Sequence, residues 1–350
     1  KENAPAPAQG EKPQTPGGGF GGGNGSSDVK LQYIDDDPES YQNIFGNAKT
    51  DVSSNDEAWL IESLKKLSSY EDLEDVLDMD AVLRYFVVHN FVVNGDSYTG
   101  SMIHNYYLYE QDGKLSMLPW DYNLAFGGFQ GNDAESAVND PIDDVLSDRP
   151  MQAWMFSSEE YTALYHEYYE EFLQSADIDG LIDEAYDLIA PYVEKDPTKF
   201  CTYDEFETGV QTLKNFCYLR AQSVTGQLDG SIPSTSEAQK ESSESLVDAS
   251  AITISDMGSM GNTMGRYAVG RSGTRIPYCH REGIQRLAMT IFFIYIRKRH
   301  RTGEESERTA RPNRAFRPLS DAQILVTAPG NIPKSRNCLP HGEPIFLHRN

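Results

Sequence analysis

Cysteine is scarce and scattered. The chain has 350 residues and four cysteines, Cys201, Cys217, Cys279 and Cys338. None forms a Cys-x-x-Cys pair or a Cys/His cluster, which argues against a zinc site. So few cysteines in a chain this long leave the redox compartment open. Cys201 and Cys217 stand in apolar surroundings and read as small buried hydrophobes. Long apolar runs are also missing. The longest, Leu287–Ile296, falls short of the about 20 residues that span a bilayer, so no membrane span is expected. The chain opens on Lys1 with neither a Met nor a signal peptide, which fits mature processing or a fragment.

Positive charge is scarce in the first 250 residues, which hold 14 Lys and Arg against 47 Asp and Glu, a net of −33. Such a surface repels nucleic acid and anionic lipid, so neither is expected as a partner. Phosphate handled by so acidic a protein calls for divalent cations rather than an arginine cradle. Residues 251–350 reverse the balance, with 16 basic against 7 acidic residues, a net of +9, and RKRHR at 297–301. The abrupt break marks this stretch as a basic tail of doubtful structure, foreign to the domain and fitting a translated shifted reading frame. Between them, 237–250 is rich in Ser, Glu and other polar residues and reads as a disordered linker. At the other end, residues 1–27 are Pro- and Gly-rich and read as a flexible linker or loop. The GGGFGGG run within it lacks the Lys-Ser/Thr of a phosphate loop, and no strand leads into it. Asp35 to Asp37 could ligate a cation, but Pro38 favours a solvated turn.

What is present suffices for a core. Apolar residues make up 39% of the chain and aromatic residues 11%, with 20 tyrosines whose hydroxyls demand polar seams. Ser54-x-x-Glu57 reads as a capping box opening a helix with Trp59, Leu60, Leu64 and Leu67 on one face. Asp78 caps a second helix, apolar enough from Met79 to Val93 to be central. After a loop ending at Asp148-Arg149-Pro150-Met151, periodicity predicts three more helices. The first carries Tyr161, Leu164, Tyr165, Tyr168 and Phe172. The second runs over about 181–193 with Pro191 near its end, and the third over about 203–227.

Chemistry concentrates in NGDSYTGSMIHNYYLYEQDGKLSMLPWDYNLAFGG, from Asn94. A turn presents Asp96, and a loop leads to Asn105. The alternating run Tyr106–Tyr109 meets the hairpin signal Asp112-Gly113 and returns through Lys114–Leu118 to Pro119-Trp120-Asp121. Asn105 and Asp121 then sit near each other at the open end of the hairpin, beside Asp96. Oxygen ligands of this kind suit Mg²⁺. The order of a loop Asp, a downstream Asn, a hairpin and an Asp is that of a kinase site, though Asp and Asn are nine apart and no HRD or DFG string occurs. Each residue also has a purely structural alternative. Asp96 could be a turn residue, Asn105 could satisfy a backbone group, and Asp121 could cap the Tyr122–Phe126 turn. His104 could compete as a base, but an extended backbone points it away from Asn105. Trp120 could stack on adenine or pack in the core, and Asn123 could be a further ligand or a turn residue.

NGDSYTG, HNYYLYEQDGKL and LPWDYNLAFGGFQG, with DVKLQYIDDDPESYQNIF, the RPM at 149–151, DPTKFCTYDEFETGV and LRAQSVTGQLDG, resemble the CotH kinase family over about residues 28–236. The resemblance implies an α+β fold: the mostly helical C-lobe of an atypical protein-kinase-like domain, with a β-hairpin carrying the metal site and the N-lobe largely absent. It implies ATP and Mg²⁺ or Mn²⁺ as cofactors. It makes Asp96 the catalytic residue, and Asn105 and Asp121 the cofactor- and metal-binding residues. The implied partner is a surface or spore-coat protein phosphorylated on Ser or Thr, at the spore coat or cell surface of a bacterium. Relatives that attach AMP or glutamate leave the transferred group open. Residues 1–27 cannot supply the N-lobe sheet with its phosphate-binding Lys, so a partial domain at 28–236 is expected. The alternative is a non-catalytic coat or surface scaffold that retains the shape.

Overall fold

The computed structural model describes residues 25–129, 133–197, 199, 201–258 and 325–327. The Gly-rich run at 17–23, Cys279, Cys338 and the basic run at 297–301 lie outside them. In chain order the helices are α1 (Gln42–Phe45), α2 (Ser54–Ser69), α3 (Leu73–Val76), α4 (Met79–Phe91), α5 (Ala134–Val138), α6 (Pro150–Ala153), α7 (Glu159–Ser175), α8 (Ile178–Lys195), α9 (Tyr203–Asp229) and α10 (Ser236–Glu241). The strands are β1 (Tyr106–Gln111), β2 (Lys114–Pro119) and β3 (Leu325–Thr327), in the order β2-β1-β3. The protein is therefore α+β and mostly helical.

Helix α4 is central because its sequence leaves it no polar face. Residues Val82 to His89 and Phe91 are all buried, against α7, α9 and β2. Asp78 caps it by accepting from the Ala81 amide, while its own amide donates to the Leu115 carbonyl of β2. The far end of α4 is closed by Arg220 of α9, which has no exposed surface. Its guanidinium donates to the carbonyls of Asn90 and Phe91, and to those of Val138 and Asp140. A cation on the last carbonyls of a helix complements its dipole and satisfies acceptors that burial would otherwise orphan.

Helices α7, α8 and α9 follow the periodicity, with Tyr165, Tyr169 and Phe172 buried on α7 and Pro191 inside α8. The capping box of α2 sits one residue earlier than the Ser-x-x-Glu spacing suggests. Ser53 is the cap, and the Asp56 carboxylate accepts from the Ser53 amide and hydroxyl. The aspartates at 35–37 behave as a turn: Asp35 accepts from the Asp37 amide and the Ser40 hydroxyl, and Asp37 from the Glu39 amide. Cys217 is buried, which pushes its thiol pKa up.

The stretch expected as a disordered linker at 237–250 is structured. It contains most of α10, and Ala249 is buried in the main core with Ile252 and Met257 beyond it. Its polar composition is accommodated because Asn139 acts as a docking post. Asn139 donates to the Val247 carbonyl and accepts from the Val247 amide, and its own carbonyl accepts from Gln239. Residues 325–327 of the basic tail form β3, antiparallel to β1 across Tyr107–Tyr109.

Candidate functional site

The hairpin forms as its sequence dictates. Tyr106 pairs with Pro119 and Gln111 with Lys114. Asp112 and Gly113 both take positive φ, 53° and 80°, the two-residue turn whose twist matches the strands. Since Tyr106–Pro119 is the last pair, Asn105 precedes the ladder and Asp121 leaves it two residues beyond, both at the open end.

The preceding loop is folded on itself. Asn94 Oδ1 accepts from the Asp96 amide. A Cβ on Gly100 would lie 1.9 Å from the Gly95 carbonyl oxygen, so only glycine fits. Arg149 of the RPM string holds the loop from outside, donating to the carbonyls of Tyr98 and Gly100. Asp96 is thus presented as a buried carboxylate, 6% exposed.

Asp96 and Asn105 touch. Asn105 Nδ2 donates to the Asp96 backbone carbonyl at 2.9 Å and to its carboxylate at 3.2 Å. The amide therefore does satisfy a backbone group, and it also engages the carboxylate. Both of these contacts are made through Nδ2. His104 corrects an expectation. Its Nε2 lies 2.5 Å from Asp96 Oδ1, so adjacent residues reach the same carboxylate. Side-chain alternation fails here because Ile103 and Asn105 are left-handed, at φ 49° and 55°, and the segment before β1 is not extended.

Asp121 is also left-handed, at φ 54°, ahead of the 3₁₀ turn Tyr122–Leu124, and its side chain makes no capping hydrogen bond to that turn. The capping role open to it on sequence is not the one it takes. Two residues on, Asn123 Oδ1 is buried and has no hydrogen-bond partner among the described residues. An acceptor oxygen left so is costly unless a donor or cation meets it. The turn is tied to α4: the Phe126 amide donates to the Val92 carbonyl at 2.5 Å and the Gly127 amide to Val93 at 3.3 Å. Trp120 is 49% exposed and meets the Tyr107 ring edge to face, so it is not core.

One residue escaped the sequence reading. His89 is 1% exposed within α4. Its Nδ1 lies 2.6 Å from the Tyr122 hydroxyl, and its Nε2 2.8 Å from Thr99 Oγ1 and 3.1 Å from Ser97 Oγ. Burial lowers its pKa to about 3, so the ring is neutral. Only its polarity among apolar helix neighbours could have flagged it.

Left-handed non-glycine residues gather here, at Val93, Ile103, Asn105, Asp121 and Phe126. Each costs on the order of 1–3 kcal/mol, and such strain accumulates at functional sites. Among the described residues no three His, Cys, Asp or Glu form a metal cluster. The side chains of Asp96, Asn105, Asp121 and Asn123 are two carboxylates and two amides, a hard donor type that suits Mg²⁺ or Mn²⁺ rather than zinc.

Residues 21–224 match a family described as CotH kinase protein. The match spans the loop, the hairpin and the turn, and more than half the chain. The protein belongs to the CotH kinase family. Comparison with curated proteins finds none that matches.

Proposed function

We propose that the open end of the hairpin is the active site of a CotH-like phosphotransferase that uses ATP with Mg²⁺ or Mn²⁺ and phosphorylates Ser or Thr of a surface or spore-coat protein. The observation that carries the proposal is the contact of Asp96 with Asn105 beside the point where Asp121 leaves the ladder. Family membership supports it.

In this reading the Asn105 amide oxygen and the Asp121 carboxylate would hold the divalent ion, and Asn123 Oδ1 would be a further oxygen. The ion supplies charge neutralisation for the ATP phosphates. Asp96 accepts the proton of the Ser or Thr hydroxyl as that oxygen attacks the γ-phosphorus and ADP leaves. His104 and Asn105 fix the rotamer of Asp96, so its remaining lone pairs point one way when the hydroxyl arrives. Burial of Asp96 keeps bulk water from competing for that proton.

The test is transfer of labelled phosphate from ATP, with Mn²⁺ or Mg²⁺, to the chain itself or to a coat-protein extract, comparing the wild type with Asp121→Ala. Label with the wild type and none with the variant is expected. No label in either case leaves the non-catalytic scaffold, and equal label in both removes Asp121 from the site.

A further inference from the structure

We propose that His89 is a positioning residue that couples the Asp96 loop to the Asp121 turn, so that the two acidic groups keep one spacing. Its consequence for nucleotide binding rests on the phosphotransfer reading; the coupling itself does not. The two segments reach the site by different routes. The loop follows α4 directly, whereas the turn arrives after the whole hairpin. His89 touches both with opposite ring nitrogens, toward the Tyr122 hydroxyl on one side and Thr99 and Ser97 on the other.

The protons can be assigned from the partners. Ser97 spends its single proton on the Asn94 carbonyl at 2.7 Å, so toward His89 it can only accept. Nε2 then carries the hydrogen, and Nδ1 accepts from Tyr122. A neutral ring, which burial favours, makes this donor–acceptor pair. The ring is also fixed from its faces. Tyr85 stacks on it at 5.3 Å between centroids, and Phe86 and Tyr122 meet it edge-on. Tyr122 follows Asp121 directly, and Ser97 follows Asp96 directly. The bridge therefore acts one residue away from each proposed functional carboxylate.

A histidine that merely fills the core would contribute stability without linking the two segments. Near-isosteric variants separate the cases: Tyr122→Phe cuts the turn side, and Thr99→Val removes the shorter of the two loop-side bonds. Amide hydrogen exchange in the full chain is expected to rise in both segments, 94–105 and 121–129, for each variant, with α7 and α9 unchanged. Affinity for MnATP, by calorimetry, is expected to fall about tenfold in each, the size usual for a residue that supports metal ligands. The double variant is expected to be little worse than either single one, because a bridge cut at one end is already broken. Exchange that rises only in the segment carrying the substitution overturns the coupling. Faster exchange in both segments with MnATP affinity equal to wild type overturns the positioning role. Should the wild type bind no MnATP, the phosphotransfer reading falls, and the exchange pattern alone decides the bridge.

Discussion

The two ends of the hairpin are built on opposite principles. At the closed end, Asp112 and Gly113 adopt positive φ because a two-residue turn needs it, and Asp-Gly supplies it cheaply. Nothing distant is required; the Gly113 amide donates to Glu110 three residues back. At the open end, positive φ falls on the non-glycines Ile103, Asn105, Asp121 and Phe126 as well as on Gly127. These are held by bonds from elsewhere: Arg149 on the loop, the end of α4 on the turn, and His89 on both. The closed end is local and inexpensive. The open end is imposed by the rest of the fold, as the proposed site requires.

That contrast can be broken by substitution. The largest effect is expected from Gly100→Ala. Its Cβ would collide with the Gly95 carbonyl, so the Asp96 loop must open. Loss of MnATP affinity by more than about tenfold is expected, together with faster amide exchange at 94–105. Retained affinity would mean that the loop is not held as tightly as its geometry implies.

Next comes pH. His89 is neutral in the fold, with its pKa lowered to about 3 by burial, but protonates near pH 6.5 when unfolded. The unfolded chain therefore takes up the proton first as pH falls. The stability that His89 contributes is complete above about pH 6.5 and is lost as pH drops toward about 3, by roughly 3–5 kcal/mol over that window. Urea denaturation of wild type and His89→Gln between pH 7 and pH 4 is the check. The variant should be less stable at pH 7 and show a shallower loss on acidification; parallel curves would assign the acid sensitivity to other groups.

The smallest effect belongs to the closed end. Gly113→Ala meets no atom closer than Trp59 Nε1 at 3.9 Å, so its cost is conformational only, about 1 kcal/mol. A modest drop in melting temperature with unchanged MnATP affinity is expected. Equal sensitivity of the two ends would erase the distinction drawn between them.

The same contrast explains what could be seen in the sequence. Helices α7, α8 and α9 were legible because burying one face writes a 3.6-residue period into the chain. The hairpin was legible because Asp-Gly and alternation are local signals. The nearness of Asp96 to Asn105 followed once the hairpin was placed. The contact of His104 with Asp96 was not legible: it depends on left-handed backbone at Ile103 and Asn105, which no local preference announces. His89 was hidden because its partners lie about 10 and 33 positions away. Residues 237–250, read as a disordered linker, were misjudged because their polar character suits solvent, whereas Asn139 and Ala249 draw them onto the core; Ile252 and Met257, read as part of the tail, pack there too. Composition counts apolar residues, but a few well-placed ones with satisfied backbone groups can anchor a segment.

The account depends most on oxygens from Asn105 and Asp121 sharing one divalent ion at the open end of the hairpin. Crystals grown with Mn²⁺ and a non-hydrolysable ATP analogue, measured for anomalous scattering, test it directly. A manganese peak in direct coordination with both side chains, and with the analogue's phosphates, is the predicted result. A nucleotide bound elsewhere, or a manganese ion that touches neither side chain, would contradict it.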